Sequence, residues 1–152
     1  MGKRTPDEKR RSAFALVKLL LRPSRDLLDS HRREFLRTAL YKVTEAEAAK
    51  YQTRYRSEES LSSTRPDWQH EHVYQRAAMV DRLLKAAKKD IDRILATAIG
   101  CVVTKAEHRR LNKVKGLDGW RRYAKAGIVV IDTKSGRRLN LTTRAPRRSS
   151  PN

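Results

Sequence analysis

The sequence is short of cysteine, of aromatic residues and of long apolar runs. Cys101 is its only cysteine, so no disulfide can form within the chain, and we expect a reducing compartment. Aromatic residues make up 6% of the chain, and no stretch approaches the roughly eighteen apolar residues of a membrane span. The first residues also lack the apolar segment and cleavage site of a secretion signal. These absences predict a cytoplasmic protein (nuclear if the source is eukaryotic) with one small core and no membrane partner.

Motifs of two large enzyme classes are missing as well. The chain has no Gly-x-Ser-x-Gly turn and no Gly-rich phosphate loop, so serine hydrolases and dinucleotide enzymes find no support. Cys101 stands between Ile99-Gly100 and Val102-Val103, where we expect a small buried side chain and not a nucleophile.

Acidic residues are scarce, and this scarcity predicts the partner. Asp and Glu number 17 against 36 Lys and Arg, which gives a net charge of +19 and a pI near 10.8. Residues 1–11 and 133–152 contribute +3 and +6, so residues 12–132 still carry +10. A basic folded part predicts salt-sensitive binding to a nucleic acid, DNA or RNA, because its cations displace the counterions of phosphates. The basic residues expected at that interface are Arg76, Arg109, Arg110, Arg121 and Arg122.

The N-terminal region contains the signals of three helices. Residues 5–8, Thr-Pro-Asp-Glu, predict a capped start for a helix over 5–21. Further helices are expected over 24–42 and over 44–56, the latter opened by a second capping box, and residues 57–66 are expected to form a loop. The apolar face expected for the second helix consists of Leu28, His31, Phe35 and Ala39.

The remainder alternates helices with short strands. Helices are expected over 76–88 and 90–98, and Thr104 to Glu107 form a third capping box. Trp120 and Tyr123 mark a short helix that ends at Gly127 and packs against a hairpin.

These elements predict an α+β fold that is mainly α-helical. The N-terminal half is expected to be helical, and a small C-terminal β element to pack with helices, with strands near 101–103, 128–132 and 139–142. The expected organisation is a basic helical region over 1–56, an α+β core over 67–143 and a disordered basic tail over 144–152.

Two stretches, 68–74 and 102–108, carry three of the four histidines and a Glu-His dipeptide each. A carboxylate can hold a divalent ion on a scissile phosphate, and a neutral imidazole can activate water. In a regular strand Glu71 and His72 would point to opposite faces, so either the backbone bends there or only one of them is used.

The tripeptide Glu71-His72-Val73 resembles the first motif of the HNH, or ββα-metal, nucleases. Residues 102–108 resemble the strand-to-helix part of their second motif, so the resemblance covers about residues 67–111. It implies a metal-dependent endonuclease.

The resemblance assigns roles residue by residue. His72 would be the general base, and Glu71 and His108 would be metal ligands. Glu107 and His70 are possible additional ligands, although Glu107 also has a structural explanation as the third helical residue of a capping box. The ion would be magnesium, manganese, zinc or nickel.

Two other functions fit the same sequence. The first is a non-catalytic DNA- or RNA-binding or accessory protein, of phage or plasmid type or part of a ribonucleoprotein. The second is a protein that mimics a nucleic-acid-binding protein but binds an acidic surface of another protein. Convergence of Glu71, His72 and His108 on one point would favour the nuclease over both.

Overall fold

The computed structural model describes residues 4–46 and 50–141 of the chain. In this part of the chain, seven α-helices and a five-stranded sheet form an α+β protein that is 53% helical, which confirms the expected fold class. The helices are α1 (Pro6–Leu20), α2 (Asp29–Glu45), α3 (Glu58–Leu61), α4 (Arg76–Lys85), α5 (Ile91–Leu95), α6 (Lys105–Lys113) and α7 (Trp120–Lys125). The strands are β1 (Tyr55–Ser57), β2 (Trp68–His72), β3 (Gly100–Thr104), β4 (Val130–Asp132) and β5 (Arg137–Arg138). None of the helices just given is both long and apolar enough to cross a membrane.

The sheet draws on both halves of the chain. Its strand order is β2-β3-β1-β4-β5, with β1 parallel to β3 and the other neighbours antiparallel. The central strand β1 lies in the region where sequence predicted a helix. The expectation that the β element is C-terminal is therefore wrong, because β1 and β2 supply two of the five strands.

The helix expected over 44–56 is contradicted at residues 50–56, none of which is helical. Helix α2 continues through Thr44 to Glu45, and Tyr51 adopts a left-handed backbone conformation with φ 70°. Tyr55 then pairs with Cys101 on one side and with Asp132 on the other. These pairings across the sheet override the local helix propensity of a segment that contains three alanines.

Helices α1, α2, α4 and α5 pack around one apolar cluster. In α2 the inward face consists of Leu36, Ala39, Leu40 and Val43, all buried. This set has the helical spacing of a core face. Of the expected face, Ala39 belongs to it, whereas Leu28 is 61% exposed, Phe35 is 54% exposed, and His31 is exposed too.

The sheet, α6 and α7 share a second apolar cluster. Its buried members are Val73, Cys101, Val103, Leu111, Tyr123, Ile128 and Val130. Trp120 packs against this cluster, so the predicted contact of the Trp120 helix with the strand after it is confirmed. Cys101 is fully buried, and burial raises the pKa of its thiol, as expected of a residue that fills space.

Three helix ends lie where the capping signals in the sequence predict them. Thr5 with Glu8 and Thr104 with Glu107 form reciprocal capping boxes at the starts of α1 and α6. Gly127, at φ 67°, follows the last turn of α7. In the segment expected to be a loop, 57–66, Ser57 caps the short helix α3 by accepting from the Ser60 backbone N–H.

The C-terminal hairpin is shorter than predicted. Its turn places Gly136 at φ 69°, and β5 follows at once, two residues before the expected strand at 139–142. The expected tail, 144–152, lies outside the described residues. The boundary at residue 56 falls inside β1.

Candidate functional site

Strand β2 forms one edge of the sheet, and its side chains divide between two environments. It is paired with β3 in a regular antiparallel register from Trp68 to His72. Because side chains alternate along a strand, His70 and His72 lie on one face and Glu71 on the other. The backbone does not bend to bring Glu71 and His72 together.

Side chains from both faces reach a cleft of about 710 Å³, here called the β2 cleft, which β2 lines with α2, α4, α6 and α7. The cationic residues in its wall are Arg37, Arg76, Lys115 and Arg122. The remaining ionisable residues are His70, Glu71, His72 and His108. The cleft therefore brings histidines, one carboxylate and several cations into one concave surface.

Glu71 is the centre of a hydrogen-bonded network that joins β2 to α6 and α7. His108 Nδ1 lies 2.5 Å from Glu71 Oε2, and Arg122 donates to Glu71 Oε1 at 2.9 Å. The Arg122 side chain is 3% exposed and that of Glu71 is 12% exposed, whereas His108 is 33% exposed. A buried cation thus pairs with a nearly buried carboxylate, and the more exposed His108 binds the other oxygen of that carboxylate.

The network fixes the tautomer of the neutral His108 ring. An ionised carboxylate only accepts hydrogen bonds, so Nδ1 carries the hydrogen and Nε2 keeps a lone pair. The Asn112 side-chain nitrogen lies 3.0 Å from Nε2 and is oriented to donate to it. Glu71 therefore holds the ring so that its basic nitrogen faces away from the carboxylate.

The other face of β2 holds two neutral imidazoles. Thr44 Oγ1 donates to the Tyr41 carbonyl oxygen at 2.8 Å, and it lies 3.2 Å from His70 Nε2 and 3.3 Å from His72 Nε2. Because the single hydroxyl hydrogen is used, both rings donate from Nε2 to Thr44. The ring of Tyr41 covers them at centroid distances of 5.2 and 5.7 Å.

Burial keeps these two rings uncharged. Desolvation lowers the pKa of His72 to about 3, helped by nearby His70 and Arg76. Desolvation likewise lowers the pKa of His70, against the opposing charges of Glu45 and Glu71. With a conjugate acid of pKa about 3, His72 is a weak base near neutral pH.

The residues named from sequence fall into distinct settings. Glu71 and His108 meet directly, whereas His72 contacts Thr44 on the opposite face. Glu107 is buried on α6, where it accepts from Ser57 Oγ and from the Thr104 backbone N–H, so the capping function accounts for it.

The five basic residues expected at the interface also differ in their settings. Arg76 lines the β2 cleft, and Arg109 and Arg121 are exposed on α6 and α7. Arg110 donates to Glu59 at 2.9 Å. Arg122 is not a surface cation: its guanidinium is buried and bound to Glu71.

Sequence reasoning missed Asn112 and Thr44 as partners of the histidines. Asn112 follows His108 by four residues, a spacing that places both side chains on one face of a helix, so a signal was present. Thr44 gave no such signal, because its distance of 26 and 28 residues from its partners is closed only by tertiary packing.

The carboxylate of Glu71, which the resemblance implies as a ligand of a divalent ion, already has two hydrogen-bond partners. Both carboxylate oxygens are engaged, one by a buried guanidinium and one by His108. Across residues 4–46 and 50–141, no three His, Cys, Asp or Glu side chains are grouped to hold a metal. An ion that took the place of Arg122 on Glu71 Oε1 would leave that guanidinium buried and unpaired, at a cost of several kcal/mol.

No protein-family model, curated protein or solved structure matches the chain.

Proposed function

We propose that the protein binds nucleic acid through the β2 cleft and cleaves a phosphodiester bond there. The observation that carries this proposal is the Glu71–His108 pair, in which a nearly buried carboxylate orients an imidazole at the mouth of a cationic cleft. A carboxylate bound to Nδ1 leaves the lone pair on Nε2, where a substrate hydroxyl can take the place of the Asn112 amide and give up its proton to the imidazole as general base.

The cations of the cleft would bind and neutralise the phosphates. Arg37 and Arg76 are exposed on α2 and α4, and Lys115 follows α6, so three positive charges line the same cleft as the pair. Arg122 has another role, since its charge is matched by Glu71. The net charge of +19 supplies the long-range attraction that brings a polyanion to the cleft.

Cleavage is tested with purified protein on a supercoiled plasmid and on a labelled RNA, each with EDTA and with magnesium, manganese, zinc or nickel. Wild-type protein should cut at least one of these substrates. His108→Gln should lower the rate by about 10²- to 10⁴-fold, because the general base is lost. The matched control is His31→Gln, an exposed histidine of α2 outside the cleft, which should cut at the wild-type rate. Wild-type protein that cuts neither substrate under any condition contradicts the catalytic part of the proposal.

The second candidate function is non-catalytic binding of DNA or RNA. It is favoured by the complete pairing of the Glu71 carboxylate, which ties β2 to α6 and α7 as a structural link would. Both functions predict an affinity that falls steeply with salt. Removing Arg37, Arg76 and Lys115 together should reduce the slope of log K against log [salt] by roughly three. Cleavage separates the two functions, because only the first requires His108.

A further inference from the structure

The β2 cleft offers a base but no ligand set for a Lewis acid. His108 Nε2 has its lone pair directed away from Glu71, and its hydrogen-bond partner, the exposed Asn112 amide, can be replaced by a substrate hydroxyl. Each oxygen of Glu71, in contrast, already accepts a hydrogen bond, and no three His, Cys, Asp or Glu side chains among residues 4–46 and 50–141 are grouped to hold a metal. A nucleophile that an imidazole can activate without a metal therefore suits the cleft best.

Water is a poor nucleophile under these conditions. Metal coordination lowers the pKa of water from about 15.7 to about 7, and an imidazole gives no comparable activation. A hydroxyl already attached next to the phosphorus is far better placed, since well-oriented intramolecular reactions reach effective concentrations of about 10⁵ to 10⁸ M. In nucleic acids only ribose carries such a group, the 2′-hydroxyl.

We propose that the substrate of the β2 cleft is RNA and that its own 2′-hydroxyl is the nucleophile. His108 Nε2 takes the hydroxyl proton, the 2′-oxygen forms a bond to the adjacent phosphorus, and the bond from phosphorus to the 5′-oxygen breaks. The 5′-oxygen takes a proton from water, and the hydroxide left behind takes the proton from His108. The products are a 2′,3′-cyclic phosphate and a 5′-hydroxyl end. This inference rests on the proposed function, of which it names the substrate and the nucleophile.

The cations of the cleft suit this reaction. Charge builds up on the non-bridging phosphate oxygens as the 2′-oxygen adds, and preorganised cations stabilise that charge best in a concave site. Arg37, Arg76 and Lys115 line the same cleft as His108 and are the side chains placed to supply it. Arg122 acts on the reaction through Glu71, and so it is a positioning residue.

Three end-labelled oligonucleotides of one sequence test the inference: all RNA, all DNA, and DNA with a single ribonucleotide. Each is incubated with wild-type protein in EDTA. The RNA and the single-ribonucleotide strand should be cut on the 3′ side of ribose, leaving a 2′,3′-cyclic phosphate. The all-DNA strand should be cut at least about 10³-fold more slowly. His108→Gln, purified in parallel, shows whether the cutting belongs to this protein, and His31→Gln is the matched control.

The outcomes separate this inference from the function on which it rests. If DNA is cut as fast as RNA, if the new ends are a 3′-hydroxyl and a 5′-phosphate, or if cutting requires an added metal ion, the ribose inference is wrong and phosphodiester cleavage stands. If wild-type protein cuts none of the three strands, with or without metal ions, both are wrong. Cutting of the two ribose-containing strands in EDTA that is lost in His108→Gln supports both.

Discussion

Glu71 and His72 are neighbours in sequence, yet their side chains meet opposite environments on the two faces of β2. On one face, the charge of Glu71 is shared with Arg122 and with a histidine at the mouth of a cleft. On the other, His70 and His72 donate to one buried hydroxyl and are kept neutral by desolvation. Adjacency in sequence therefore does not pair Glu71 with His72. The Glu71 carboxylate is hydrogen-bonded to His108, which is 37 residues away.

The largest expected difference between the faces is in cleavage. His108→Gln should lower the RNA cleavage rate by about 10²- to 10⁴-fold, whereas His72→Gln should lower it by less than about tenfold, because desolvation makes His72 a weak base and its ring lies off the Glu71 face. Single-turnover rates of the two variants against wild type measure the ratio. A greater loss for His72→Gln than for His108→Gln would reverse the roles proposed for the two faces.

A large effect on stability is expected from Glu71. Glu71→Leu leaves the Arg122 guanidinium buried without its carboxylate, which should cost about 3–5 kcal/mol of unfolding free energy in urea titrations. The double variant Glu71→Leu with Arg122→Met removes both charges and should recover most of that loss. Equal stability of the single and double variants would show that Arg122 finds another partner or reaches solvent.

On the histidine face, close packing is expected to matter more than charge. A Cβ added at Gly100 would lie 2.8 Å from His70 Cε1 and 3.1 Å from Thr53 Cγ2. Gly100→Ala should therefore cost about 1–3 kcal/mol. In a double-mutant cycle with His70→Ala, the double variant should lose at least about 0.5 kcal/mol less stability than the sum of the two single losses. The reason is that the smaller side chain at position 70 leaves room for the methyl group at position 100. Strict additivity of the two losses would mean that the cost of Gly100→Ala does not come from contact with the His70 ring.

The smallest effect is the pH dependence of the histidine face. His72 has a pKa of about 3 in the folded protein and about 6.5 when unfolded, so between these values the unfolded chain binds more protons. The unfolding free energy should therefore fall as pH drops below about 6.5, by at most about 1.4 kcal/mol per pH unit for each such histidine. His72→Gln and His70→Gln should each flatten this dependence between pH 6.5 and 5. An unchanged slope in both would show that neither ring is held neutral.

Local signals in the sequence were sufficient for much of the fold. The capping boxes at Thr5 and Thr104, the glycine after α7 and the buried strand around Val102 all depend on residues within four or five positions of each other, and the structure has them all. Strand β1 escaped prediction because it is three residues long, lies in a polar segment and owes its conformation to two neighbouring strands.

For the candidate site, the sequence indicated Glu71 and His108 as functional residues, but it did not predict the hydrogen bond between them. Each lies in a Glu-His dipeptide, and the resemblance to HNH nucleases implied that both are ligands of one metal ion. The structure shows a direct hydrogen bond between them, with Arg122 on the second carboxylate oxygen. Glu71 is 37 residues from His108 and 51 from Arg122, and no local pattern specifies such pairings.

The sequence by itself determined the basic character of the protein, its main helices and the two residues at the centre of the candidate site, Glu71 and His108. The tertiary structure decided which of those residues act together. The reason is physical: capping and periodicity operate over a few residues of chain, whereas strand alternation sends adjacent side chains to opposite faces and sheet register sets which helix each one meets. Glu71 thereby faces α6 and α7, and His72 faces α2.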